Sequence, residues 1–414
     1  MSRSDAPTAA AGALPSDQAD RRARAAALAC MVGLAVVLGV GRFAFTPLLP
    51  LMLADGSIGL KAGGWLASAN YAGYFAGAVS CAALRVAPAR MVRFGLAATV
   101  LLTAAMGIGH LLPVWLAVRF VAGVVSAWTF VFVSQWGLRR LAELHAPEWS
   151  GVIYAGPGVG IVLTGLIGSA LAGRPAASGW LGFAALSAVL SVAIWRTFAV
   201  APAQALPPAG TTPHAASAAS VAPADARRHR ADAAWLVVLY GTPGFGYIIT
   251  ATFLPVIARA VLPAGSPWPD LFWPMFGAAL IVGAIAAARL PGHWDNRLLL
   301  AAGCATQALG IAAGIVWPNA LGFSVGSALL GLPFTAITLF AMREARRLHG
   351  ERAAGLMGYA TASYGVGQII GPLVAAPLAA RFGSFSPALW VAAAALLVGA
   401  AGFAAIAAKG RLRR

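Results

Sequence analysis

The sequence predicts an all-α polytopic membrane protein whose twelve transmembrane helices form two parallel six-helix repeats. Three observations carry that expectation. Of the 414 residues, 60% are hydrophobic and only 10% charged, with a mean hydropathy of +0.80, far from the composition of water-soluble domains. Apolar stretches of about 20 residues, the length that crosses a ~30 Å hydrocarbon core, occur twelve times. They lie near 25–49, 62–84, 90–111, 113–138, 149–172, 180–199, 233–258, 271–290, 297–316, 319–342, 353–378 and 386–408. Short motifs also recur at a near-constant offset that divides these stretches six and six.

Residues 1–22 are rich in Ala, Asp, Ser and Pro and lack the short apolar core and cleavage site of a removable signal peptide. A disordered cytoplasmic tail is expected there. Arg21, Arg22 and Arg24 then precede a first apolar segment long enough to span. It closes with Gly39-Val-Gly-Arg-Phe-Ala-Phe-Thr-Pro-Leu-Leu-Pro50, which places Arg42 among apolar residues with no acid between Asp20 and Asp55.

The N-terminal six-helix bundle is expected over 23–199, and the C-terminal bundle over 233–408. Between them, the Pro- and Ala-rich segment 200–232 reads as a cytoplasmic linker, a disordered tether, and 409–414 as a basic tail. Orientation follows from the basic residues. Twenty-three of the 29 fall in the two tails, the linker and the loops on the same side, and only Lys61, Arg174, Arg259 and Arg381 on the other. Both termini are therefore expected in the cytoplasm. The net charge of +17 would suit nucleic acid only if gathered on one soluble face, whereas here it punctuates apolar runs. Lys61 and Lys409 are the only lysines, a bias that suggests a GC-rich bacterial genome and so a bacterial inner membrane.

The repetition has three parts. Gly39-x-Gly41, with Pro50 nine residues on, recurs as Gly244-x-Gly246 with Pro255, an offset of 205. Arg139-Arg140-Leu141 recurs as Arg346-Arg347-Leu348 at 207, and Tyr154-Ala155 before Gly158-Val-Gly160 finds Tyr359-Ala360 before Gly365-Val-Gly367. Parallel repeats related by an axis along the membrane normal imply a substrate site between them near the midplane.

These features resemble the major facilitator superfamily over nearly the whole chain. Arg119-x-x-x-Gly123 resembles its span-four signature, and Gly156-Pro157-x-x-Gly160 and Gly367-x-x-x-Gly371-Pro372 its Gly-Pro packing motif. The Gly39–Pro50 stretch, followed by Gly64-Trp-Leu-Ala-Ser-Ala-Asn-Tyr-Ala-Gly-Tyr74, is similar to the YbfB/YjiJ-type branch. One departure stands out. The loop between spans two and three lacks the acid usual in the superfamily, having Arg85, Arg90 and Arg93 alone, whereas Gly292-x-x-Asp295-x-Arg297 keeps a fragment between spans eight and nine. If that acid latches a gate, the latch is altered or has moved to the second half.

The polar residues narrow the chemistry. All twelve acids fall in tails, loops or helix ends, and His110 is the one histidine read within a span, near its outer end. A buried-carboxylate proton relay is therefore unsupported. Arg42 and Arg119 are an unneutralised pair, each roughly 10 Å inside the outer end of its span at 1.5 Å per residue. A guanidinium matches carboxylate or phosphate, which is one reading; the other is that each ties down carbonyls freed where Gly and Pro interrupt helices. Further spans carry polar stripes at helical spacing: Ala67, Asn70, Tyr74 and Gly77; Tyr240, Gly244, Tyr247 and Ala251; Thr361, Tyr364, Gln368 and Gly371. These stripes either line a cavity or pack helices together, and the repeat offset pairs Tyr247 with Arg42.

The substrate-binding candidates are thus Arg42, Asn70, Tyr74, Arg119, Tyr247, Tyr364 and Gln368. Cys30, Cys81 and Cys304 show no metal or redox spacing. With no phosphate-binding loop, no metal cluster and no paired carboxylates in the spans, neither an enzyme nor a cofactor is expected. The expectation is a monomeric secondary transporter, with the bilayer and a small-molecule substrate as its partners, moving a small organic anion by alternating access. Efflux of hydrophobic compounds and a non-transporting ligand sensor are the alternatives.

Overall fold

The computed structural model describes residues 16–198, 223–350 and 353–411, which are helical with no strand among them. The first span is α1 (Ser16–Leu34), a π-helical turn (Ala35–Val40) and α2 (Phe45–Ala54). Spans two to four are α3 (Leu60–Ser80), α4 (Pro88–Ile108) and α5 (Leu112–Glu143). Span five is split into α6 (Ser150–Tyr154) and α7 (Gly156–Ala170), and α8 (Ala176–Trp195) completes the half. The second half runs α9 (Pro223–Val261), α10 (Trp268–Arg289), α11 (Asn296–Val316), α12 (Ala320–Gly331) with α13 (Phe334–His349), α14 (Ala353–Phe382) and α15 (Ser386–Arg411).

Eleven spans among the described residues are long and apolar enough to cross a membrane. The twelfth, α3, is 21 residues long but carries Asn70, Tyr71, Tyr74 and several glycines. Its reduced apolarity fits its position, because α3 packs on α5 within its own half and on α14 of the other, not mainly against lipid.

Several boundaries move. Helix α1 starts at Ser16, inside the expected tail, and α9 at Pro223, inside the expected linker; residues 1–15, 199–222 and 412–414 lie outside the described part. Basic turns such as Arg21–Arg24 continue a helix beyond the apolar stretch because their side chains are solvated there without cost to the backbone ladder. His110 sits not in a span but in the connection between α4 and α5, since α4 caps at Gly109.

The repeat is present at atomic detail. A Cβ on Gly39 would lie 2.4 Å from Gly160 Cα, bringing the first span against α7. In the second half a Cβ on Gly244 would lie 2.3 Å from the Tyr364 carbonyl oxygen, and one on Gly367 2.5 Å from that of Gly241, bringing α9 against α14. Gly39 corresponds to Gly244, and Gly160 to Gly367, at the offsets of the motifs, so glycine is needed at the same two places in both halves to let backbones touch. The ends of the bundles match as well: Arg93 donates to Trp195 O (3.0 Å), tying α4 to α8, and Arg297 to Ile406 O (3.3 Å), tying α11 to α15.

The halves meet through α3 with α14, α7 with α10 and α2 with α9. Gly64 lies against the Pro372 carbonyl, Gly165 against the Pro274 ring and Gly158 against the Gly277 carbonyl. Three hydrogen bonds bridge the seam: Thr46 Oγ1 to Ala251 O (2.9 Å), Ser68 Oγ to Ile369 O (2.8 Å), and Tyr71 OH with Thr252 Oγ1 (2.9 Å). Thr46 begins α2, Ala251 and Thr252 lie in the last third of α9, and Ser68, Tyr71 and Ile369 lie near the middle of α3 and α14. The bridges thus join the halves at mid-depth and toward the face opposite the described termini. On the terminal face a Cβ at Gly151, Gly355 or Gly358 would meet no heavy atom within 4 Å and Tyr359 is 71% exposed, so α6 and the start of α14 are uncovered there.

Candidate functional site

The site begins with the break in the first span. Gly41 and Phe43 donate their N–H groups five residues back, to Val36 and Leu38. The helix is thereby widened, a local form common at functional sites. Pro47 has no N–H to return, and Thr46 donates to Phe43 O in a tight turn, so the carbonyls of Gly41 and Arg42 are left without helical donors.

Arg119 of α5 supplies those donors. Its Nη1 reaches Gly41 O and its Nη2 Arg42 O, both at 3.3 Å, while Nε reaches Leu66 O at 3.5 Å. The side chain is 2% exposed and lies over the Phe45 ring. Asn70, fully buried, donates Nδ2 to the Arg119 carbonyl at 2.9 Å, where Gly73 and Gly123 let α3 and α5 approach to backbone contact. The span-four signature is thus engaged in holding the widened turn, and Asn70 in holding span four.

Arg42, carried on that turn, is differently placed. It is 6% exposed, and its Nε and Nη2 are buried without a hydrogen-bond partner. Among the described residues no ion pair involves it. Rings surround it instead: Cζ lies 4.1 Å from the Tyr74 centroid and 5.2 Å from those of Phe43 and Tyr71. Cation–π attraction of ~2 kcal/mol when desolvated offsets only part of the several kcal/mol that burying a charge costs. The neighbouring Arg119 guanidinium adds repulsion.

The second half faces this guanidinium with phenols. Tyr247 and Tyr364 stack with centroids 5.9 Å apart, and Tyr240 packs on Tyr364 at 4.9 Å. Both Tyr247 and Tyr364 lie within Coulombic range of Arg42. Gln368 Nε2 donates to the Tyr247 hydroxyl. Phe334 and Trp273 close the layer, edge-on to Tyr247 at 4.9 Å and to Phe43 at 5.9 Å. The expected residues thus converge: Arg42, Tyr74, Tyr247, Tyr364 and Gln368 in one aromatic layer between the halves, with Arg119 and Asn70 directly behind it.

Sequence reasoning missed Tyr71, Phe43 and Trp273. Tyr71 is one residue off the Ala67–Asn70–Tyr74–Gly77 stripe, and the other two look like ordinary apolar span residues. The signal that does exist is the ring flanking Arg42 on its own turn. Among the described residues no cluster of His, Cys, Asp and Glu is arranged to hold a metal ion.

Comparison with known proteins shows what the chain as a whole is similar to. The family described as "Uncharacterised MFS-type transporter YbfB" matches residues 34–403. A chloramphenicol resistance protein of Streptomyces lividans is 27% identical over 384 residues, covering 88% of this chain and 91% of that one. In structure the chain is similar to the nucleoside transporter NupG, with a TM-score of 0.69, 11% identity and coverage of 93% and 98% of the two chains. It is likewise similar to a D-xylose–proton symporter, with a TM-score of 0.68, 11% identity and coverage of 92% and 97%.

Proposed function

The chain belongs to the YbfB-type family of major facilitator superfamily transporters, and from that premise we propose that it moves a small organic anion by alternating access between its two halves, with Arg42 as the charge partner. One observation carries the reading: a buried guanidinium with Nε and Nη2 unpartnered and no acid among the described residues paired to it. A substrate anion is the missing counter-charge, supplying the hydrogen bonds whose absence costs most in a low-dielectric site. Arg119 is the positioning residue that holds the turn, Asn70 braces it, and Tyr74, Tyr247, Tyr364 and Gln368 form the walls.

With the termini in the cytoplasm of a bacterial cell, as the basic residues indicate, the conformation is closed toward the outside and open toward the inside. The bridges at Thr46, Ser68 and Tyr71 form the outer seal, and the mobile partners are the pairs α3–α14 and α7–α10.

A scanning-fluorimetry screen of the purified protein against small anions, cations and neutral solutes tests the reading. A ligand at a hundred times its dissociation constant adds about 2.7 kcal/mol of stability. Anions should stabilise the wild type and not Arg42→Ala; equal stabilisation of both by neutral compounds alone would overturn it. The second reading, efflux of hydrophobic compounds, is favoured by the relative named for chloramphenicol resistance and by the ring-lined wall, and that same outcome would put it first.

A further inference from the structure

We propose, resting on the anion reading of the same site, that the substrate is an aromatic carboxylate, seated edge-to-edge with Arg42 so that its ring continues the plane of the guanidinium. The argument starts from which two nitrogens are free. In an arginine side chain the Nε–H and one N–H of Nη2 point the same way, and together they form the edge that takes both oxygens of a carboxylate. The two buried atoms of Arg42 without partners are Nε and Nη2. The vacant donors are therefore a matched pair, shaped for a planar two-oxygen acceptor and not for a spherical ion.

The rings decide what is attached to that acceptor. A bidentate carboxylate lies in the guanidinium plane, and in an arylcarboxylate the ring is conjugated with the carboxylate and lies in that plane too. The guanidinium is already faced by aromatic rings, Tyr74 with its centroid 4.1 Å from Cζ and Phe43 and Tyr71 at 5.2 Å. A flat ring held in the guanidinium plane would present its π faces to these rings and to the stacked Tyr247–Tyr364 pair of the other half. Offset stacking there adds attraction beyond burial alone. A puckered aliphatic ring or a chain acid has no π face to offer those tyrosines. Entry is from the terminal side, where Tyr74 and Tyr364 are only partly buried and Thr361, one turn beyond Tyr364, is exposed.

Isothermal titration of the full-length protein with benzoate, cyclohexanecarboxylate, propionate and benzamide tests the proposal. Benzoate should bind the wild type at least tenfold more tightly than cyclohexanecarboxylate, which has the same charge and a similar size but no π face. Arg42→Lys should weaken benzoate by tenfold or more, and Tyr74→Leu should bring the two ring acids within twofold of each other. If benzoate and cyclohexanecarboxylate bind the wild type equally, and both more tightly than benzamide, the aromatic proposal fails while the anion reading stands. If no carboxylate binds the wild type better than neutral benzamide, the anion reading itself fails. Both decisions rest on the wild type, so a variant that fails to fold does not blunt the test.

Discussion

Thr46 donates a hydrogen bond to the carbonyl of Ala251, 2.9 Å away and 205 residues later in the chain. That interval is the offset at which Gly39-x-Gly41 recurs as Gly244-x-Gly246, so the two residues hold the same position in the two repeats and touch where the halves meet. One turn further in, the corresponding pair is Arg42 and Tyr247. Symmetry supplies the contact and its breaking supplies the chemistry: the first half presents a cation where the second presents a phenol.

The seal around Thr46 should set the balance between conformations. Tyr71→Phe and Thr46→Val each delete one bridge between the halves, worth ~1 kcal/mol, and together should shift the closed-to-open ratio of the far face by more than tenfold. Labelling rates of a cysteine introduced at Ala376, buried beside Gly64 on that seam, with a membrane-impermeant thiol reagent measure this. Unchanged labelling in the double variant would show that the glycine–proline contacts alone hold the face shut.

Arg119 should behave as a structural residue. Its guanidinium satisfies three backbone carbonyls, and Arg119→Leu leaves them buried and unpaired at ~1–3 kcal/mol each. A fall in melting temperature is expected. Arg119→Lys, which retains the charge and fewer donors, should fall between the leucine variant and the wild type. A wild-type melting curve for Arg119→Leu would remove the residue from this role.

Glycines at repeat-related positions should respond alike. Gly39→Ala and Gly244→Ala put a Cβ against backbone at 2.4 Å and 2.3 Å, an overpacking cost of ~1–3 kcal/mol. Gly182→Ala in α8 meets nothing within 4 Å and should be neutral or up to ~1 kcal/mol stabilising, since alanine is the better helix former. Thermal unfolding of the three variants checks the ordering; destabilisation at only one of the related pair would break the correspondence.

Acid should loosen the loop before α11. Burial pushes the Asp295 carboxyl upward, but hydrogen bonds from the Arg297 side chain and N–H outweigh it and hold the carboxyl below its ordinary value. A depressed carboxylate contributes stability above its unfolded value, ~3.9, and loses it as pH falls through the folded value. The wild type should therefore lose more melting temperature than Asp295→Asn between pH 6 and pH 3. Parallel curves for the two would mean that the pair adds nothing.

By itself the sequence determined the class of fold, because hydrocarbon admits few ways to satisfy a backbone and stretches of about twenty apolar residues announce the chosen one. It determined the repeat through glycines, since backbone contact at Gly39–Gly160 and Gly244–Gly367 tolerates no side chain. It also singled out Arg42 and Arg119, because an arginine among apolar residues is legible without a structure. Tertiary structure alone decided what separates them. Both look like unpaired cations in the chain, yet Arg119 is engaged with carbonyls freed by Gly41 and Pro47, whereas Arg42 keeps two donors vacant among rings from both halves. Hydrogen bonds are set by distances between segments far apart in sequence, and Tyr71, Phe43 and Trp273 joined the site for the same reason. Helical periodicity shows which residues share a face but not which faces meet.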